Sequence, residues 1–150
     1  TSWPPLSDGR SISWSANPSN RVRIGFADGQ SSKRHEPSMS LDLAPLLDIL
    51  LAINQALEFI QGYDAARFHA DKRTRWAVYS QIVVIGEASR RISREFQRDH
   101  PDIPWADIIG MRHRLVHGYD DIRWDRVWDA VVDDLPKLKA AIEPLIPKEP

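Results

Sequence analysis

From Leu43 the apolar residues return at alternating steps of three and four: Leu43, Leu46, Leu50, Ile53, Leu57 and Ile60, with Leu47 and Leu51 widening the row. Such spacing lines one side of an α-helix and does not suit the two-residue period of a strand. Asp42 stands where an N-cap belongs, Pro45 falls in the first turn, where its missing N–H is tolerated, and Gly62 suits the position just past the helix end. A short turn or helix is expected over Asp64 to His69. A second long helix is expected from Asp71 to Arg98, with Val78, Ile82, Ile85, Ser89, Ile92 and Phe96 in one row. Around Ile82 to Gly86 it is apolar on every side, and Gly86 would let another helix approach closely.

His100-Pro101-Asp102-Ile103-Pro104 breaks the pattern, with Asp102 expected to cap a third helix and Pro104 again in a first turn. Ile108, Met111 and Leu115 supply its core side, and Gly118 ends it, expected in the left-handed conformation. Trp124, Trp128, Val131, Leu135, Leu138, Ile142 and Leu145 then describe a last helix, which Pro136 should kink, before a tail from Pro147 to Pro150. No strand pattern competes after Met39 and no repeat of 20 to 50 residues is visible. The expectation is an all-α, up-and-down helical bundle.

A chain of 150 residues is the size of one domain. Residues 1–38 differ from the rest, rich in Ser, Pro, Asn, Gly and Arg without a helical period, and are expected to be largely disordered, with at most a short strand and turn over Arg21 to Gly29. Because Met39 precedes the first periodic segment, residues 1–38 read as an upstream extension of a domain over 39–150, and nothing in them resembles a secretory signal. With 20 basic and 21 acidic residues, global charge draws the chain to neither nucleic acid nor membrane, so RNA binding would need a local basic patch. Arg90, Arg91, Arg94, Arg98, Arg112, Arg114, Arg123 and Arg126 could form one, although acids are interleaved. The tryptophans at 76, 105, 124 and 128 are expected in the core. The absence of cysteine removes disulfides and thiolate metal sites and fits a reducing, cytoplasmic setting. No apolar run approaches the roughly 20 residues of a spanning helix, so no membrane partner is expected.

The chemistry concentrates in Gly110-Met111-Arg112-His113-Arg114-Leu115-Val116-His117-Gly118-Tyr119. An imidazole at position 117 can take a proton from a ribose 2′-hydroxyl, and the fork-shaped cation of Arg112 can hold a phosphate oxygen as charge builds up, with no metal required. Five helical steps of roughly 100° leave these side chains about 140° apart. They can converge only if His117 lies at a frayed helix end or if a second subunit completes the site. In the structural alternative, Arg112 pairs with a nearby acid and His117 caps the helix C-terminus. A metal reading, with His113 and His117 on one side and Asp120 or Asp121 nearby, has too few certain ligands, and no cofactor is expected. Tyr119 offers a phenol that could bond phosphate, be modified covalently or merely pack. Glu87, a carboxylate among apolar neighbours, either pairs with Arg91 or orients Arg112 or His117.

From Leu43 to about Ile146 the chain resembles the HepT-like toxins of the HEPN superfamily. The resemblance rests on Ile85-Gly86-Glu87-Ala88, His100-Pro101, Ile103-Pro104-Trp105, Ile109-Gly110-Met111-Arg112, His117-Gly118-Tyr119, Trp128 and Leu135-Pro136-Lys137-Leu138, in that order. It implies a homodimeric HEPN bundle with two Arg-x4-His-x-Tyr segments around one cleft. It also implies a metal-independent endoribonuclease, with Arg112 and His117 catalytic and Glu87 auxiliary. The implied partner is a minimal nucleotidyltransferase antitoxin that can transfer AMP to Tyr119. A bulky anion there would block the cleft and repel substrate phosphate. The alternatives are a non-catalytic HEPN subunit that binds substrate or nucleotide for a nucleotidyltransferase, and a plain dimerising scaffold.

Overall fold

A computed structural model of the chain describes residues 36–148. The N-terminal strand and turn, and nearly all of the expected disorder, fall on residues outside that range. The helices are α1 (Glu36–Phe59), α2 (Ala65–Ala70), α3 (Lys72–Arg91), α4 (Arg94–Asp99), α5 (Trp105–His117), α6 (Trp124–Asp129) and α7 (Leu135–Ile142). A 3-10 turn over Tyr119–Asp121 follows α5, a π-helical stretch over Ala130–Asp134 joins α6 to α7, and a 3-10 turn over Glu143–Leu145 ends the bundle. No strand occurs among the described residues, and none of their helices is long and apolar enough to cross a membrane. The fold is the expected all-α bundle.

Helix α3 is the central element, packed on α1 along one side and on α5 along another, while α7 closes against α1. The core runs through Ile49, Ile53 and Ala56 of α1, Val78, Ile82 and Ile85 of α3, and Ile108 and Leu115 of α5, to Val127, Val131, Leu135 and Ile142. Leu47 and Leu51 do not widen the core row, being 46% and 59% exposed. Each precedes a buried isoleucine by two residues, a rotation of about 200°, and therefore points outward.

Asp42 does not cap α1, which is already helical at Glu36 and holds Pro45 in its interior. Its carboxylate is buried and accepts from the Ser93 backbone N–H and the Ser93 hydroxyl, both at 2.7 Å. Those bonds accompany a break in the expected single helix from Asp71 to Arg98. Ile92 turns to an extended conformation, and Ser93 caps α4 by accepting from the Phe96 N–H. The Gln97 side-chain amide donates to the carbonyls of Ser89 and Ile92 at the end of α3, the first of which also accepts from the Ile92 N–H. Asp71 does cap α3, accepting from the Thr74 N–H, and Asp64 caps α2.

Helix α5 starts at Trp105 with Pro104 at its cap position, not at Asp102, because Pro104 (ψ 66°) is not helical and two tight turns intervene. Gly118 is not left-handed, with φ −114° and ψ 34°. Glycine is needed there for space, since a Cβ would lie 2.9 Å from the Arg114 carbonyl oxygen. The left-handed glycine is Gly62, with φ 74°, just beyond α1. Before Pro136 the helix widens instead of simply kinking. The Leu135 N–H reaches back five residues to the Ala130 carbonyl, a π turn that accommodates the donor proline lacks.

Candidate active site

Gly86 and Arg112 set the geometry. A Cβ on Gly86 would stand 2.1 Å from Arg112 Cβ, so the stem of Arg112 occupies the space a side chain at 86 would fill. This is the close approach expected of Gly86, and it presses Arg112 onto α3. There the Arg112 Nη2 lies 3.3 Å from Glu87 Oε2, while Glu87 Oε1 accepts from Arg90 at 2.8 Å. The Glu87 carboxyl is held below its usual range, first by the hydrogen bond from Arg90 and then by the charges of Arg90, Arg112 and Arg91, against the opposing effect of desolvation. Glu87 thus remains an anion beside Arg112. Arg91, its other expected partner, pairs with Asp48 of α1 instead.

The Arg112 side chain is 26% exposed, its pair with Glu87 is long and not aligned as a hydrogen bond, and its Nε is buried without a partner. Its donors are therefore only partly committed. His117 is exposed, as the last residue of α5, with its ring 4.3 Å from that of His113 one turn earlier. Both Arg112 and His117 have regular helical positions, so the frayed end that could bring them together within one chain does not occur. No group of three or more His, Asp or Glu among the described residues is disposed to hold a metal. Tyr119 opens the following 3-10 turn with 68% of its surface exposed, so it does not pack into the core.

The arginines do not make one free basic face. Arg90, Arg91 and Arg123 are tied to Glu87, Asp48 and Asp125, while Arg94 and Arg98 line a separate 640 Å³ groove with Trp105 at the start of α5. Trp105 is buried, donating to the His100 carbonyl, and Trp128 packs on Phe68. Trp76 departs from expectation at 40% exposed. Tyr79, which no sequence pattern marked, donates its hydroxyl to the Leu115 carbonyl at 3.1 Å and so ties α3 to the last turn of α5. The packing of α3 on α5 brings it there, and no local signal reports which residue lies opposite.

A family model described as ribonuclease HepT-like matches residues 49–145. The chain is 38% identical over 98 residues to "Putative RNase MJ1380" of Methanocaldococcus jannaschii, covering 65% of this chain and 90% of that protein. It is 39% identical over 100 residues to "Probable ribonuclease HepT" of Thermococcus cleftensis, covering 67% of this chain and 91% of that protein. No solved structure gives a significant match.

Proposed function

The chain belongs to the HepT-like ribonuclease family, and from that premise we propose that it is a metal-independent endoribonuclease in which Arg112 and His117 act across a cleft between two subunits. The observation that carries this reading is the divergence of the two side chains on one regular helix. Arg112 is seated on Gly86 and Glu87 with donors to spare, while the exposed His117 lies at the helix end. Neither completes the other within one chain, and two copies placed with these segments facing each other supply both groups to one phosphodiester.

In the cleft, His117 removes the proton of a ribose 2′-hydroxyl and the freed oxygen attacks the adjacent phosphorus. Arg112 binds a non-bridging oxygen as negative charge accumulates, and Glu87 keeps the guanidinium aimed. The bond to the 5′-oxygen breaks, that oxygen takes a proton from water, the imidazolium of His117 gives its proton to the hydroxide left behind, and the products are a 2′,3′-cyclic phosphate and a 5′-hydroxyl. Tyr119 stands two residues from His117 and is open to solvent, which suits a modification site. We assign it as the acceptor of AMP from a minimal nucleotidyltransferase antitoxin, with this chain the toxin of the pair.

The test is cleavage of RNA in EDTA. Wild-type protein should cut and leave cyclic phosphate ends, His117→Ala should lose about 10²- to 10⁴-fold in rate and Arg112→Ala about 10²- to 10³-fold, with helical content retained. Undiminished cleavage by both folded variants would refute the assignment. Co-expression with the nucleotidyltransferase should add the mass of AMP to the peptide containing Tyr119, and Tyr119→Phe should abolish that addition.

A further inference from the structure

The first turns of α3 carry Lys72-Arg73-Thr74-Arg75-Trp76, none of which belongs to the Arg112 and His117 site. Trp76 is exposed yet contacts two other rings, edge to face with Tyr79 at 5.0 Å and with Trp124 at 5.3 Å. Tyr79 is fixed in turn by its bond to the Leu115 carbonyl, and Trp124 is covered by the Arg75 guanidinium at 5.0 Å. Those contacts fix the ring's orientation while 40% of the residue stays open to solvent, so a partner can meet it without first ordering it. Lys72 and Arg73 are exposed and form no ion pair among the described residues, and they stand in a helical first turn, where the dipole disfavours positive charge. Thus the cations are not placed for helix stability, and Trp76 keeps part of its surface open to solvent although it packs on two neighbouring rings.

Position gives the cluster its meaning. Trp76 and Glu87 are eleven residues apart, three helical turns, so they share one side of α3 about 16 Å apart, and Tyr79 joins this end of the row to the turn of α5 that bears His117. We propose that Trp76 is a base-stacking platform for single-stranded RNA, with Arg73 and Lys72 on the flanking phosphates, holding the strand beside the His117 end of the cleft. The inference rests on the ribonuclease reading and names how that substrate is gripped. Stacking on one fixed ring accepts any base and requires an unpaired one, so the platform selects single strands over duplex without reading sequence.

Binding separates this proposal from the cleavage chemistry. In a His117→Ala background, a fluorescein-labelled single-stranded oligoribonucleotide should bind, and an RNA duplex should compete poorly. Adding Trp76→Ala should weaken binding by about 5- to 150-fold, the range for loss of one stacked base, while Trp76→Phe should retain most of it. Arg73→Glu should lower the slope of log affinity against log salt by about 0.7, one phosphate contact on a single strand. Binding by Trp76→Ala within twofold of the background protein overturns the proposal, as does failure of the background protein to bind the oligonucleotide at low salt. A change in sedimenting mass on Trp76→Ala would assign the ring to a subunit contact and overturn it equally. Wild-type cleavage, measured alongside, judges the ribonuclease reading on its own.

Discussion

Arg112 is a cation held by position more than by partners, and Glu87 supplies its one ion pair among the described residues. Glu87→Gln keeps the shape of the side chain and removes the charge. It should therefore lower kcat by roughly tenfold through misplacement of Arg112, with KM less affected, in steady-state cleavage assays. Asp71 illustrates the opposite case, an acid fully engaged. The Tyr63 hydroxyl, then the Thr74 hydroxyl and N–H, pull its carboxyl down to about 2 from the usual 3.8. Because the folded value is the lower one, this stabilisation is complete above the unfolded value of 3.8 and is lost as pH falls through about 2. Thermal melts of Asp71→Asn and wild type should accordingly differ at neutral pH and converge toward pH 2. At this scale residue type and spacing single out Arg112, His117, Tyr119 and Glu87 as candidates, each with a structural alternative beside it. Trp76 and Tyr79 are not among them, since their role depends on what another helix places opposite them.

At the scale of elements, the long helices were legible, as were the starts of α2 and α3 at Asp64 and Asp71 and the end of α5 at Gly118. The start of α1, the start of α5 and the break between α3 and α4 were not. The three-four rows of α1, α3 and α5 report burial directly. The break at Ile92 and Ser93 depends on Asp42, about fifty residues earlier, and no window around Arg91 contains that information. The same carboxylate was mistaken for a cap of its own helix, because a local reading assigns an acid to the nearest open N–H. Asp42→Ala should leave the Ser93 N–H and hydroxyl unsatisfied in a largely buried site. The cost is about 2–3 kcal/mol, read as a fall in urea midpoint with an unchanged m-value. Gly86→Ala tests the crossing of α3 and α5. Its methyl must displace backbone-anchored Arg112 Cβ, an overpacking worth about 1–3 kcal/mol. The Tm should fall, and cleavage should fall further than the lost stability explains, because the displaced residue is Arg112.

On the scale of the whole molecule, the proposed roles of Arg112 and His117, which diverge on one helix, would make assembly part of the chemistry. If each cleft draws its arginine from one subunit and its histidine from the other, mixed dimers of Arg112→Ala and His117→Ala contain one complete site. Co-expression of the two variants should then restore a substantial fraction of wild-type cleavage, whereas each alone stays inactive. Sites confined to single subunits would give no restoration. The seating of Arg112 on Gly86 also bears on which substitutions would silence the proposed toxin. Every missense change of a glycine codon adds a side chain, so each one evicts Arg112 without altering any reacting group. Where the enzyme harms its host, spontaneous survivors should carry lesions at codon 86 about as readily as at codons 112 and 117. A glycine would then be a suppressor hotspot, and the intact Arg-x4-His signature of such alleles would hide the reason they are harmless.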